Sequence, residues 1–332
     1  MYYKLFPEII DLKPKNPIYY FVSVSNKCNA NCKFCDIHEK KEVNTKVDIK
    51  ELLKNLKDNG AKYVHFTGGG EPLANKEIYD YFEYATNLGL EIVFITNGYF
   101  LTSDIIETLG NYNIKAIFFS IDSYNPKTHD ETRGVKGIFN RATSAINLIK
   151  SKYPNIKIVI NQVLNSSNID DVLEFIKLSD SVKYDYFNPI IVKECPEYYF
   201  SNEQIARYNS RLKTLIELMK DHNIELLYDS ADYFEEGTYL DDGTDLRKND
   251  ISCNILSYCS FIDCVSGNVY PCDCSVHRDE NYYSIGNVID SNIDEIINSE
   301  KVKKLRKELK GFSKCKGKCD YANVFLNKKI NE

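Results

Sequence analysis

Three cysteines, Cys28, Cys32 and Cys35, stand in the stretch KCNANCKFCD with the spacing C-x3-C-x2-C. Three thiolates serve poorly as a structural zinc site, which is normally closed by four ligands. They suit a 4Fe-4S cluster, whose irons normally carry one cysteine each. With only three cysteines, one iron stays open to an outside ligand.

A second cysteine group lies far downstream. Cys253, Cys272, Cys315 and Cys319 form two separated pairs, and SGNVYPC reads as two strands joined by a Ser-Gly-Asn turn that presents Cys272 toward Cys253. Four cysteines complete a closed site, and this spacing fits zinc as well as iron-sulfur. Cys259, Cys264 and Cys274 lie in the same neighbourhood and leave the ligand set open.

The elements that must position these groups are read from the pattern of apolar runs. IYYFVSVS (18–25), KYVHFT (62–67), EIVFIT (91–96), IKAIFFSID (114–122), IKIVINQVL (156–164) and VKYDYFNPIIV (182–192) are β-rich. Each is followed by a helical stretch: 48–60, 75–89, 102–110, 137–153, 168–179 and 202–222. Near-continuous apolar strands joined by helical crossovers predict a parallel sheet covered by helices, as a barrel or an open sheet. The loops leaving the C-terminal strand ends then form the site face. The three cysteines, TGGGEP and TNG all fall there, after the first, second and third strands. After residue 223 the pattern turns to short segments rich in cysteine, aromatics and turns, so the domains are expected at 1–225 and 226–332.

At this point the chain resembles the radical S-adenosylmethionine (radical SAM) superfamily. The match is carried by the C-x3-C-x2-C loop followed by GGGEP, TNG, SID and HDETRG at the ends of successive units. The resemblance implies an incomplete TIM-like (β/α)6 barrel. It also implies an open iron chelated by SAM, which is cleaved reductively to a 5′-deoxyadenosyl radical that takes hydrogen from an unreactive C–H bond. Gly68, Gly69, Gly70 and Glu71 resemble the motif that receives the SAM amino group, with one glycine more than usual. Phe34 occupies the place whose backbone meets the adenine, and Asn97 and Ser120 resemble pocket-lining positions. Arg133 resembles an arginine that pairs with the SAM carboxylate, while Asn161, Val163, Leu164 and Asn165 resemble the adenine border. Asn97 and Ser120 also suit ordinary turns, and Arg133 a surface ion pair. His38, His65 and His129 are read as packed or solvated rather than catalytic.

The C-terminal part is similar to the SPASM and twitch extensions of that superfamily, the shorter twitch form fitting better. This implies one auxiliary iron-sulfur cluster held by Cys253, Cys272, Cys315 and Cys319. The resemblance also implies an external electron donor such as flavodoxin or ferredoxin. Cys195, just beyond the sixth strand, is read either as a small hydrophobe or as a thiol that returns a hydrogen atom to a substrate radical.

Composition narrows the alternatives. Hydrophobic residues at 43% and charged residues at 27% match a globular chain. No run approaches the ~18 apolar residues of a membrane span, and no signal peptide is evident. A cytoplasmic protein is therefore expected, where clustered thiols are ligands or catalysts rather than disulfides. The net charge of −6, without a long basic run, argues against nucleic acid as the main partner. Eight acidic residues against Arg247 and Lys248 crowd into 229–250, which reads as a solvated linker, with a lid or docking surface as the alternative. The expected reaction is oxidation or remodelling of a hydroxylated small molecule such as a sugar, nucleoside or cyclitol, with the auxiliary cluster as electron acceptor. Peptide modification is the alternative, and a non-catalytic iron-sulfur carrier the third reading.

Overall fold

The computed structural model describes residues 4–12, 14–41, 43, 45–192, 195–227, 253–276, 283–309, 326–327 and 330. Six strands form the heart of a parallel sheet: β1 (Tyr19–Ser23), β2 (Tyr63–Thr67), β3 (Glu91–Thr96), β4 (Ile114–Ser120), β5 (Lys157–Leu164) and β6 (Tyr186–Ile191). Each pairs with the next in chain order, as helical crossovers of one hand dictate. A two-residue strand, β7 (Glu225–Leu226), extends the sheet beyond β6. At the other edge β8 (Cys259–Asp263) runs parallel to β1, followed by the antiparallel β9 (Asn268–Tyr270) and β10 (Gly286–Asn287). The ten strands form one continuous sheet with β10 and β7 at its ends, an open arrangement. The cysteine-rich C-terminal segment is thus hydrogen-bonded directly onto the first strand.

The helices follow from local signals. In α2 (Ile49–Asp58) Asp48 caps the N-terminus by accepting from the Glu51 amide, and Ile49, Leu52, Leu53 and Leu56 form its buried stripe. With it stand α1 (Glu8–Leu12), α3 (Ile78–Asn87), α4 (Ser103–Thr108), α5 (Pro126–Arg133), α6 (Ile138–Lys152) and α7 (Asn202–Asp221), the α-helices among the described residues up to 221. Ser201 and Gln204 close a capping box at the start of α7.

The expected helix over 168–179 is instead two 3₁₀ segments, Ile169–Asp171 and Glu174–Asp180. Asn168 stands where a cap is needed, but its side chain accepts from the Asn165 amide and donates to the carbonyls of Asp122 and Val163. Its amide-bearing group is spent on tying down the end of β5, so the first turn lacks a side-chain cap.

Strand alternation divides the core in two. Tyr20, Val22, Val64, Phe66, Phe94, Phe119 and Ile160 pack against the helices. Tyr19, Phe21, Tyr63, Val93, Phe118 and Val159 point the other way, where Leu5, Phe6 and Ile9 of the N-terminal segment join them with Tyr258, Phe261 and Tyr270 of the C-terminal one. Both chain ends therefore share the inner face of the sheet.

Candidate active site at the strand ends

The cysteine loop leaves β1 and is fastened from three sides. On one side the end of α5 supplies two backbone bonds, Asn31 N–H to the Arg133 carbonyl and Lys33 N–H to the Thr132 carbonyl, each at 3.0 Å. Gly134, the last residue of HDETRG, caps α5 with φ +67°, and a Cβ there would sit 2.5 Å from the Asn31 carbonyl. Only glycine satisfies both demands. On the second side Glu71 N–H donates to the Lys27 carbonyl at 2.8 Å, and a Cβ on Gly70 would lie 2.1 Å from that same oxygen. On the third, Asn97 Nδ2 donates to Asn29 Oδ1 at 2.9 Å while Asn97 Oδ1 accepts from the Tyr99 amide. GGGEP, TNG and HDETRG thus converge on the loop that carries Cys28, Cys32 and Cys35.

Glu71 turns inward. Its carboxylate accepts from the Thr96 hydroxyl at 2.8 Å, the Asn97 amide at 2.7 Å and the Leu73 amide at 3.2 Å. Burial outweighs these bonds and pushes its pKa up to about 7. Gly69 N–H is held by Ser23 Oγ at 2.8 Å.

Arg133 is buried, 8% exposed, and is no surface ion pair. Its Nε and Nη2 grip Asp122 at 2.6 and 2.9 Å, and its Nη1 lies 3.7 Å from Cys32 Sγ. The fork that the resemblance assigns to the SAM carboxylate therefore faces Asp122, and the guanidinium also stands 5.4 Å from the centre of the Phe34 ring. Desolvation raises the thiol pKa of Cys28 and Cys32, and the Arg133 charge opposes it at Cys32.

Ser120, the last residue of β4, is the register partner of Asn161 within β5, and Asn161 Oδ1 accepts from Asn188 Nδ2 at 2.8 Å. The side chain of Leu164 is buried in the helix-facing core and its carbonyl accepts from Val192 N–H. The alternation of β5 forces this, since Asn161 and Val163 occupy the opposite parity. Asn165 is spent on the Ser167 amide and the Val163 carbonyl. Cys195 lies against the cysteine loop, its Sγ donating to the carbonyl of Phe34, the residue before Cys35, at 3.2 Å. His65 and His129 are both buried; His65 Nδ1 meets the Tyr19 hydroxyl, and His129 Nδ1 accepts from Asp122 N–H. Both are packed groups, as read from the sequence.

Four residues of this site escaped sequence reasoning: Asp122, Ser23, Thr96 and Asn29. Asp122 was within reach, because it is the last residue of SID, whose serine alone was singled out.

The donor set tests the fit to a cluster. Sulfur is the ligand iron-sulfur clusters take, and Asn29 Nδ2, in the loop between the first two thiols, is buried without a partner among the described residues. No three His, Cys, Asp or Glu side chains among the described residues close round a single ion. A cluster does not ask for that, since each thiolate binds a different iron. The residues fit.

In the C-terminal group, Cys253 and Cys272 are half-buried and pack against the inner core that contains Cys259. Asn327 Nδ2 lies 3.8 Å from Cys253 Sγ. Cys264 is fully buried in the other, helix-facing core, where apolar surroundings raise its pKa strongly. Cys274 falls in the turn Asp273–Ser275. Cys315, Cys319 and the acidic stretch 229–250 lie outside the described residues.

A family model described as the radical SAM superfamily matches residues 22–178, and one described as an iron-sulfur cluster-binding (SPASM) domain matches 253–320. The chain belongs to the radical SAM superfamily. Radical SAM membership brings a 4Fe-4S cluster and SAM, and the SPASM domain an auxiliary iron-sulfur cluster. The AdoMet-dependent heme synthase of Methanosarcina barkeri is 28% identical over 90% of this chain and 86% of its own length. Two other heme synthases are matched over only 41% and 44% of their own length. The S-adenosylmethionine-dependent nucleotide dehydratase of Selenomonas ruminantium is 28% identical over 46% of this chain and 58% of its own. Among solved structures, Streptococcus suis SuiB bound to precursor peptide SuiA superposes with a TM-score of 0.67 at 20% identity, over 97% of this chain and 76% of its own. That likeness is one of fold. No helix of the described residues is long and apolar enough to cross a membrane.

Proposed function

We propose that this radical SAM enzyme takes a hydrogen atom from an unactivated C–H bond of a hydroxylated small molecule held at the strand-end mouth, and oxidises it. When bound, the cluster and SAM supply the electron and the 5′-deoxyadenosyl radical, and the auxiliary cluster accepts the electron left on the substrate. The observation that carries the reading is the convergence of three glycine-bearing or polar loops on one three-cysteine loop.

In this reading Cys28, Cys32 and Cys35 hold the SAM-binding cluster, while Cys253, Cys272, Cys315 and Cys319 hold the auxiliary one. Gly68, Gly69 and Gly70 offer backbone carbonyls to the SAM amine, and Glu71 fixes their loop by its bonds to Thr96 and Asn97. The Phe34 backbone and Asn161 border the adenine, and Asn97 and Ser120 line the pocket. Cys195, beside Phe34, is placed to return a hydrogen atom where the outcome is redox-neutral. An external donor such as flavodoxin or ferredoxin supplies the first electron. The heme synthase and nucleotide dehydratase relatives support a non-peptide substrate. A peptide is the second reading, favoured by the fold similarity to SuiB.

The test is anaerobic turnover with deuterated sugars, nucleotides and short peptides, following 5′-deoxyadenosine by mass spectrometry. Deuterium entering 5′-deoxyadenosine from a hydroxylated small molecule supports the first reading. Transfer from peptides alone supports the second, and SAM that is bound but never cleaved overturns both.

A further inference from the structure

We infer that Arg133 and Asp122 set the reduction potential of the SAM-binding cluster, Arg133 by its contact with Cys32 and Asp122 as a positioning residue acting through Arg133. The inference rests on the reading of Cys28, Cys32 and Cys35 as cluster ligands.

The geometry is specific. Of the three cysteines Cys32 is the buried one, and it is the one that meets the guanidinium, at 3.7 Å from Nη1. Asp122, 1% exposed, holds the other edge of that guanidinium through both carboxylate oxygens. Every other polar group of Asp122 is also engaged. Oδ1 accepts from Val163 N–H, its carbonyl accepts from Gln162 and Asn168, and its amide donates to His129. The backbone carbonyl of Arg133 is meanwhile bonded to Asn31, inside the cysteine loop itself. Asp122 cannot swing away, so the N–H aimed at Cys32 is fixed from behind.

Stability alone does not account for this arrangement, because buried ion pairs roughly break even against apolar packing. A donor and a positive charge beside a ligating sulfur favour the reduced, more negative cluster and so raise its potential. The carboxylate, farther from the sulfur, pulls the other way through the same weakly screened interior. Removing the two charges therefore shifts the potential in opposite directions. Mere loosening of the loop would not separate them by sign.

The experiment is an EPR-monitored redox titration of the anaerobic holoprotein as wild type, Arg133→Gln, Arg133→Lys and Asp122→Asn, the auxiliary cluster serving as internal control. The expected result is a shift to more negative potential for Arg133→Gln, a smaller negative shift for Arg133→Lys and a positive shift for Asp122→Asn, with the auxiliary signal unmoved. Unchanged potentials, or variants that all shift the same way, overturn the inference. Should Arg133→Gln fail to retain its cluster, Arg133→Lys and Asp122→Asn carry the test with the same signs and the same contrary outcomes. A Cys32→Ala variant that keeps the SAM-sensitive signal would instead overturn the ligand reading beneath it.

Discussion

The two cysteine groups are built in different ways. The first sits on one short loop, locked by backbone bonds to α5, to GGGEP and to TNG. The second is spread along and around the strands that extend the sheet from β1, with Cys259 and Cys272 against the inner core, Cys264 in the outer one and Cys253 touching both. On the proposed assignment, the site that presents one open iron to a cosubstrate is gathered on a single short loop, whereas the closed site draws its ligands from distant segments. The β1–β8 pairing, Tyr19 with Cys259 through Ser23 with Asp263, brings both groups onto one sheet.

The largest effect that separates the groups is on SAM cleavage. Replacing Cys28, Cys32 and Cys35 by Ala together is expected to abolish 5′-deoxyadenosine formation. Cys253→Ala with Cys272→Ala is expected to leave SAM cleavage measurable while substrate oxidation is lost. Equal loss in both variants would erase the distinction.

A smaller effect tests the lock on the first loop. Gly134→Ala forces a φ of +67° on a residue with a Cβ and a 2.5 Å contact on Asn31. A destabilisation of about 1–3 kcal/mol is expected in chemical unfolding of the apoprotein, with reduced iron loading at the first site and unchanged loading at the second.

Acid should act on the scaffold that both groups share. Burial pushes the pKa of His129 down to about 4 and that of His65 to about 3, each from an ordinary 6.5. Groups depressed in the fold contribute stability that is present above the unfolded pKa and lost as pH falls through the folded one. Glu71, raised to about 7, acts the other way and gains stability as it protonates over the same range. The unfolding free energy of the apoprotein should therefore fall by a net of roughly 1–3 kcal/mol between pH 6.5 and pH 4, and His129→Gln should flatten that slope. A slope unchanged in the variant would assign the acid sensitivity elsewhere.

The smallest effect concerns Cys264 and Cys272, close in sequence but on opposite sides of the sheet. Cys264→Ala is expected to cost about 1 kcal/mol from lost packing and no iron, whereas Cys272→Ala is expected to lose iron. Iron loss on replacing Cys264 would redraw the second site.

Much of this was legible in the residues. Six apolar runs gave six parallel strands in order, and Asp48, Thr102 and Ser201 cap helices where the pattern placed helix starts. The convergence of GGGEP and TNG followed from their common place at strand ends, whereas HDETRG reaches the cysteine loop from the end of α5. What stayed hidden depended on long-range partners. The missing helix after β5 turns on Asn168 preferring the carbonyls of Asp122 and Val163 to its own helix. The Asp122–Arg133–Cys32 chain joins residues up to 101 positions apart, which no local spacing encodes. That Leu164 faces the helices while Asn161 and Val163 face the other way is, by contrast, plain strand alternation within the run IKIVINQVL.

The account rests on two separate cluster sites with only the first open to SAM. The most direct measurement is iron and sulfide content with EPR on anaerobically reconstituted protein, comparing wild type with the Cys28/Cys32/Cys35→Ala triple variant, each with and without SAM. The account predicts a SAM-sensitive signal in the wild type, and in the variant a residual cluster whose signal SAM does not change. A variant with no cluster at all, or one whose remaining signal still responds to SAM, would contradict it.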